Sequence, residues 1–435
     1  MPHSPIAIPH RRRIAGWCLV ATAMVVVVAA FAWPGTDPVA GALAWLACGL
    51  LLPDLTVRSR WQSGLLVAVG GSGLAWGAAQ GNAPAWETAV AGNSGLIALL
   101  IGVSFLQLVA LPRSGGTELP RGPHAFRNTQ IGVHLFGAVI NLSTVFIVGD
   151  RLARGGPPQR EHVVLLTRSF AAAAFWSPFF AAMAAALAFA PEAQLGHLLA
   201  AGLPLAAASL IGTYWTLGRR VPPDLPGYPV RYDSLRLPAV LATAVLALHW
   251  LYADIPVLAL ITLLAPTVTV AMLIPQGGAG RRALKRQVHE GLPRMGNELA
   301  LFLGAGVLAA GLASVLQVTG SWVPFSTFGA WQAWLTLVAI IGLAIIGVHP
   351  VISIAVMATV MAPLDPHPSL LAATFLAGWG LGVCVSPLSG MNLALQGRYG
   401  IDGLRIARWN LPYTGWMLIV AAATLGGLAT WLNGA

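Results

Sequence analysis

Apolar runs, each about as long as a bilayer is thick, follow one another along almost the whole chain. They read at 14–33, 38–53, 62–80, 93–112, 163–190, 195–217, 237–252, 255–274, 295–317, 368–395 and 409–431. A helix rises ~1.5 Å per residue and the hydrocarbon core is roughly 30 Å thick, so about 20 such residues cross it. In lipid every backbone N–H and C=O must be satisfied within the element, which favours helices. The expected fold class is an all-α polytopic membrane protein with about 11 transmembrane helices. Composition agrees, because only 9% of the 435 residues are charged and 57% are hydrophobic. A soluble domain carries about a quarter charged residues. A water-facing surface cannot be built from so few ionisable groups.

The N-terminal Arg11, Arg12 and Arg13 precede the run 14–33. That run exceeds a typical signal-peptide core and reads as a retained first helix. The net charge of +10 is read by position, since Lys and Arg collect on the cytoplasmic side. With the N-terminus inside, Arg58 and Arg60 fall inside, as do Arg113, Arg121 and Arg127. Arg151, Arg154 and Arg160 fall inside only if 131–148 returns to the face it entered from. The groups Arg219–Arg220, Arg231–Arg236 and Arg281–Arg294 then follow inside. Arg398, Arg405 and Arg408 require the same return from 332–363. Two re-entrant hairpins therefore satisfy the positive-inside rule. The segment holding Arg281, Arg282, Lys285 and Arg286 reads as a linker near anionic lipid or a basic surface helix.

The halves resemble each other. The Asn93–Leu99 run reads like Asn297–Leu301, and Gly132-Val133-His134 recurs as Gly347-Val348-His349. Ser169-Phe170 before Ser177-Pro178 resembles Thr374-Phe375 before Ser386-Pro387. Three matches in one order, with opposite topology, indicate inverted repeats. The expected division is 1–90 scaffold helices, 91–217 first repeat, 218–294 linker helices with the basic segment, and 295–435 second repeat.

Each half offers two candidate elements. One is a hairpin whose tip carries His134, or His349 with Pro350. Unpaired backbone at such a tip is tolerated where it lines protein or a water-filled cavity. The other is a span interrupted at Ser177-Pro178, or at Ser386-Pro387-Leu388-Ser389-Gly390-Met391-Asn392. Hydroxyls, an amide and a helix N-terminus at that depth are suited to holding a solute. Arg168 is a candidate anion contact inside a span. Each has a plainer reading: Ser-Pro as a kink, an intramembrane histidine as a packing residue, Arg168 as a side chain snorkelling to the interface. Cys18, Cys48 and Cys384 read as small buried hydrophobes, with no disulfide or zinc spacing.

The order of helix, re-entrant hairpin, broken span and helix, carried best by His349–Pro363 and by Ser386–Asn392 with Gly397-Arg398-Tyr399-Gly400, resembles the ion transporter superfamily. That group includes arsenite permeases, divalent anion/sodium symporters and citrate carriers. The resemblance is at the level of pattern and covers roughly 91–217 and 295–431. It implies an elevator movement, a solute held between hairpin tips and breaks, and a homodimer. The sequence departs from it where Gly-Val-His replaces the Ser-Asn-Thr tips that hold sodium and carboxylate, so neither sodium coupling nor a dicarboxylate follows.

The expected function is secondary active transport of a small anionic solute across the cell inner membrane, with the N-terminus cytoplasmic. No catalytic residue, metal or cofactor is expected; the coupling ion is a proton or sodium. Partners are the solute and membrane lipid, with no nucleic acid. A Gly-x-x-x-x-Gly-Lys-Ser/Thr loop and a His-Glu-x-x-His motif are both lacking. The alternatives are an integral-membrane transferase for a lipid-linked substrate and a non-catalytic membrane subunit.

Overall fold

The computed structural model describes residues 8–83, 85–109, 119–229, 236–252, 254–320, 323 and 325–434. Arg113 and Arg231, used above for orientation, lie outside them. Helices supply the regular structure, and the described residues contain no strand beyond an isolated bridge between Arg121 and Pro226. In chain order the helices are α1 (His10–Phe31), α2 (Asp37–Leu51), α3 (Val57–Ala79), α4 (Trp86–Ala91), α5 (Ser94–Leu106), α6 (Gly122–Ile140), α7 (Ser143–Leu152), α8 (Arg160–Ala172), α9 (Ala181–Phe189) and α10 (Leu195–Thr216). There follow α11 (Arg236–Leu251), α12 (Val257–Leu273), α13 (Gly278–Arg286), α14 (Gly296–Thr319), α15 (Ala330–Ile345), α16 (Pro350–Met361), α17 (Pro368–Val385), α18 (Gly390–Tyr399) and α19 (Gly403–Gly434).

Among the described residues, seven helices are long and apolar enough to cross a membrane. Four of the eleven expected spans are not among them. The stretches at 38–53 and 237–252 form α2 and α11, of only 15 and 16 residues. The stretch at 62–80 lies in α3, which is long but diluted by glycine and serine. The stretch at 163–190 is interrupted, leaving α8 with 13 residues and α9 with nine.

The helices form two compact units. Residues 1–109 and 243–322 make the first, and 110–242 with 323–435 the second. Both are discontinuous in sequence, so the consecutive blocks expected at 91–217 and 295–435 are not packing units. Each block gives its first helix, α5 or α14, to the first unit and its remaining five helices to the second. Those five run in one order both times: helix, turn, short helix, then a helix broken into two, then a long helix.

Small residues hold the first unit together. Gly70, Gly73 and Gly77 line one face of α3, at the spacing of successive turns. A Cβ at Gly70 would meet the Val307 backbone, one at Gly73 the Gly311 backbone, and one at Gly77 the Ser314 side chain. Backbones this close gain van der Waals contact that lipid cannot supply. On α1, Arg11 and Arg12 both pair with Asp54 at 2.8 and 2.9 Å. The Arg12 hydrogen bond, seconded by Arg11, holds the Asp54 carboxyl below the usual carboxylate range. Its contribution is present above the unfolded value, near pH 4, and is lost as pH falls through the lowered folded value. Because both arginines are more than a third exposed, the pair contributes about 1 kcal/mol or less. Asp54→Asn should therefore lower the melting temperature slightly at pH 7 and flatten its decline below about pH 4. Melting curves of both proteins between pH 3 and 7 check this.

Candidate functional site

In the second unit each helix–turn–helix lies against its own broken helix. The first turn falls at Asn141–Leu142, where Asn141 takes φ 52° and ψ -141°, outside the left-handed helical region. Its amide donates to the Phe179 carbonyl at 3.1 Å. Phe179 belongs to the break between α8 and α9. There Pro178 ends the helix, and Ser177 donates to the Ala138 carbonyl of α6 while accepting from the Phe179 N–H at 3.2 Å. The hydroxyl thus satisfies backbone groups that the break leaves open.

His134 is not at this tip. It lies inside α6, buried, seven residues before Asn141. The Trp176 indole N–H donates to its Nε2 at 3.1 Å, so Nε2 is unprotonated. Nδ1 then carries the proton and donates to the Ser169 carbonyl at 3.2 Å. With both nitrogens engaged, the ring is a neutral clamp between α6, α8 and the break. The two Gly-Val-His triplets are therefore not equivalent. Leu135 continues the first helix, whereas Pro350 starts a new one after the second triplet.

The second turn runs from Ile346 to His349, with Gly347 at φ 96°. A Cβ there would meet Leu388 of the second break, so turn and break adjoin. His349 caps α16, its Nδ1 accepting from the Val351 N–H at 3.2 Å, and its ring meets Trp379 edge-on at 5.5 Å. Pro350 occupies the first helical position, where no N–H is needed.

The break in 368–395 spans Ser386 to Ser389 and begins again as α18 at Gly390. Pro387 prevents α17 from continuing. Ser389 accepts from the Asn392 N–H at 3.2 Å and donates to the Val383 carbonyl at 2.9 Å. The Asn392 amide donates to the Ser386 carbonyl at 2.9 Å and the Cys384 carbonyl at 3.4 Å. Two buried atoms here have no protein partner, Ser386 Oγ and Asn392 Oδ1. A hydroxyl can rotate to donate or accept, but Oδ1 only accepts and needs a donor or a cation. A buried polar atom left unpaired is unfavourable by about 1–3 kcal/mol.

Arg168 is 8% exposed and does not snorkel. Its Nε donates to Asn410 Oδ1 at 2.8 Å and its Nη2 to the Trp409 carbonyl at 3.0 Å. The guanidinium lies 4.5 Å above the Tyr413 ring, and Tyr413 shares a 2.6 Å hydrogen bond with Ser209. No carboxylate pairs with it among the described residues. A cavity of about 200 Å³ opens beside it, lined by Gly212, Thr216, Pro412, Tyr413 and Trp416. Asn410 also donates to Thr167 Oγ1 at 3.2 Å and to the Cys384 carbonyl at 3.4 Å, the same carbonyl that Asn392 reaches. A continuous hydrogen-bonded path thus runs from Arg168 to the unpaired end of Asn392.

The structure brings Arg168, Ser386, Pro387, Ser389, Gly390 and Asn392 into this connected region. It places His349 and Pro350 at the adjoining turn, and Ser177, Pro178 and His134 in the other turn-and-break pair. Asn410, Tyr413 and Ser209 were missed in the sequence. The available signal was Asn410 beside Pro412 in an otherwise apolar span.

Few charges, and among the described residues a helical fold with seven apolar helices of crossing length and buried polar breaks, define a multi-pass helical membrane protein. No family model matches the chain, and neither does any curated protein. Among solved structures, that of the Alcanivorax borkumensis YdaH transporter, described as having an unusual topology, is similar over 98% of each chain, with 16% identity and a TM-score of 0.46. At that TM-score the likeness carries over neither fold nor function.

Proposed function

We propose that the protein is a secondary transporter for a small anionic solute, built on two inverted repeats that move in elevator fashion. The observation that carries this reading is the break at Ser386–Asn392, where Ser386 Oγ and Asn392 Oδ1 are buried without protein partners. Polar groups at such depth in a membrane bundle serve a solute or ion pathway. The anionic class rests on Arg168, a buried cation with no described carboxylate beside a cavity. Asn392 Oδ1 adds a requirement that charge alone does not impose. Its partner must present an N–H, an O–H or a metal ion. Hydroxy acids and N-acyl amino acids meet both demands, as does a simple oxyanion accompanied by sodium.

A thermal-shift screen of the purified protein separates these possibilities. The probes are succinate, citrate, sulfate and N-acetylglutamate, each with and without sodium, at pH 6 and pH 8. Binding to the folded state raises the melting temperature by mass action. A shift confined to one anion class supports the reading, and its dependence on sodium or pH identifies the coupling ion. No shift with any anion, but one with a lipid-linked sugar, would indicate a membrane transferase instead.

His349 gives a second test. His349→Ala should strongly impair transport while leaving expression intact. His349→Asn restores a capping acceptor, so transport that stays low in both variants assigns the effect to the ring at the turn. Normal flux in His349→Ala would remove this turn from the site.

A further inference from the structure

Outside the candidate site, described residues of the first unit gather several charges around one cavity. A cavity of about 240 Å³ is lined by Ile8, Arg13, Arg282, Lys285, Arg286, His289 and Glu290. Four cations thus face one acid, and Glu290 is itself 3.9 Å from Arg294. The arrangement follows from how α1 is used. Arg11 and Arg12 are taken by Asp54, while Arg13 joins the α13 side chains and forms no described ion pair. Arg282, Lys285 and Arg286 are exposed. Arg282 lies one turn from both Lys285 and Arg286 along α13, so the three charges cluster.

The position is fixed by packing. A Cβ at Gly16 would fall on the Val288 carbonyl, so α1 touches the backbone of the π-helical turn Gln287–Gly291 directly. Gln287 is buried and donates to Ser104 Oγ at 3.0 Å and to the Ser104 carbonyl at 3.2 Å. The basic wall is therefore held by rigid contacts rather than displayed on a free loop.

Its surroundings indicate the ligand. The His289 ring meets Trp17 edge-on at 6.3 Å, and Trp17 is 57% exposed. Ile14 and Ile274, at the same end of α1 and just before α13, are also exposed. A basic cavity lined by Ile8, whose His289 meets an exposed tryptophan, offers cations to a phosphate and apolar surface to acyl chains. We infer that this cavity binds a phosphate-bearing group, the headgroup of an anionic membrane lipid seated between α1 and α13.

The test uses the full-length protein in mixed detergent–lipid micelles. Phosphatidylglycerol should raise the melting temperature more than phosphatidylcholine does, and rising potassium chloride should reduce the difference. The variant Arg282→Gln/Lys285→Gln/Arg286→Gln should bind phosphatidylglycerol roughly 100-fold more weakly while melting normally in phosphatidylcholine. Arg219→Gln/Arg220→Gln, exposed cations elsewhere, should bind as the wild type does. Arg13→Gln, followed by native mass spectrometry of retained lipid, gives an independent reading with a smaller loss. A phosphatidylglycerol preference that survives the triple variant would overturn the site. Full reproduction of the shift by inorganic phosphate or glycerol 3-phosphate would overturn the lipid assignment in favour of a soluble phosphate ligand.

Discussion

Gly311→Leu should yield no folded protein, while Gly71→Leu should accumulate and melt close to the wild type. Both glycines lie inside helices of the first unit but differ in what faces them. A Cβ at Gly311 would fall on the Gly70 carbonyl, and backbone cannot move aside as a flexible side chain can. The α3–α14 pair would have to separate along its length, losing the Gly70, Gly73 and Gly77 contacts together. Overpacking of this kind exceeds about 4 kcal/mol, the range in which single substitutions unfold marginally stable proteins. Gly71 has nothing within 4 Å of an added Cβ, so leucine there gains helix propensity of up to about 1 kcal/mol and disturbs nothing. Detergent-solubilised yield and melting temperature of the two variants check the contrast.

Arg168→Met should abolish anion binding and also destabilise the protein. The guanidinium makes two hydrogen bonds from a buried position and lies over an aromatic face. Removing it leaves Asn410 Oδ1 and the Trp409 carbonyl unsatisfied, at roughly 1–3 kcal/mol each. Removing one partner of a buried charge pair weakens binding by about 2–5 kcal/mol, so the anion-induced thermal shift should vanish at any practical concentration. Arg168→Lys retains the charge but cannot reach both acceptors with one planar group. It should show intermediate stability and a weakened anion shift. If Arg168→Met kept the wild-type anion response, Arg168 would be a packing residue and the anionic class would lose its support.

The sequence carried the breaks better than the turns. Ser177-Pro178 and Ser386–Asn392 were legible because proline disfavours continuation of a helix, although α10, α12 and α19 run through Pro204, Pro266 and Pro412. The turn at Gly347–His349 was legible for the same reason, through Pro350. Its counterpart at Asn141 was not, because the signal there is one asparagine able to adopt a positive φ, with no proline. Gly132-Val133-His134 matches the later triplet in sequence, yet Gly132 is helical and His134 is held by Trp176. The polar partners of Arg168 depend on which helices meet, a tertiary fact that periodicity does not encode. Nor could the apolar runs reveal that α5 and α14 pack apart from the five helices that follow each of them. Seven of the eleven expected spans coincide with described helices of crossing length and apolarity. Interruption of 163–190, the glycine content of α3 and the shortness of α2 and α11 are local details that an average over an apolar stretch conceals.

The central claim is that Ser386 and Asn392 hold a transported solute. The most direct measurement is flux of the radiolabelled anion giving the largest thermal shift, in proteoliposomes holding wild type or Ser386→Ala/Asn392→Ala. The account predicts saturable flux above protein-free vesicles for the wild type, and flux at the protein-free level for a double variant that is still folded and inserted. Equal flux in both would contradict it, placing the solute away from this break.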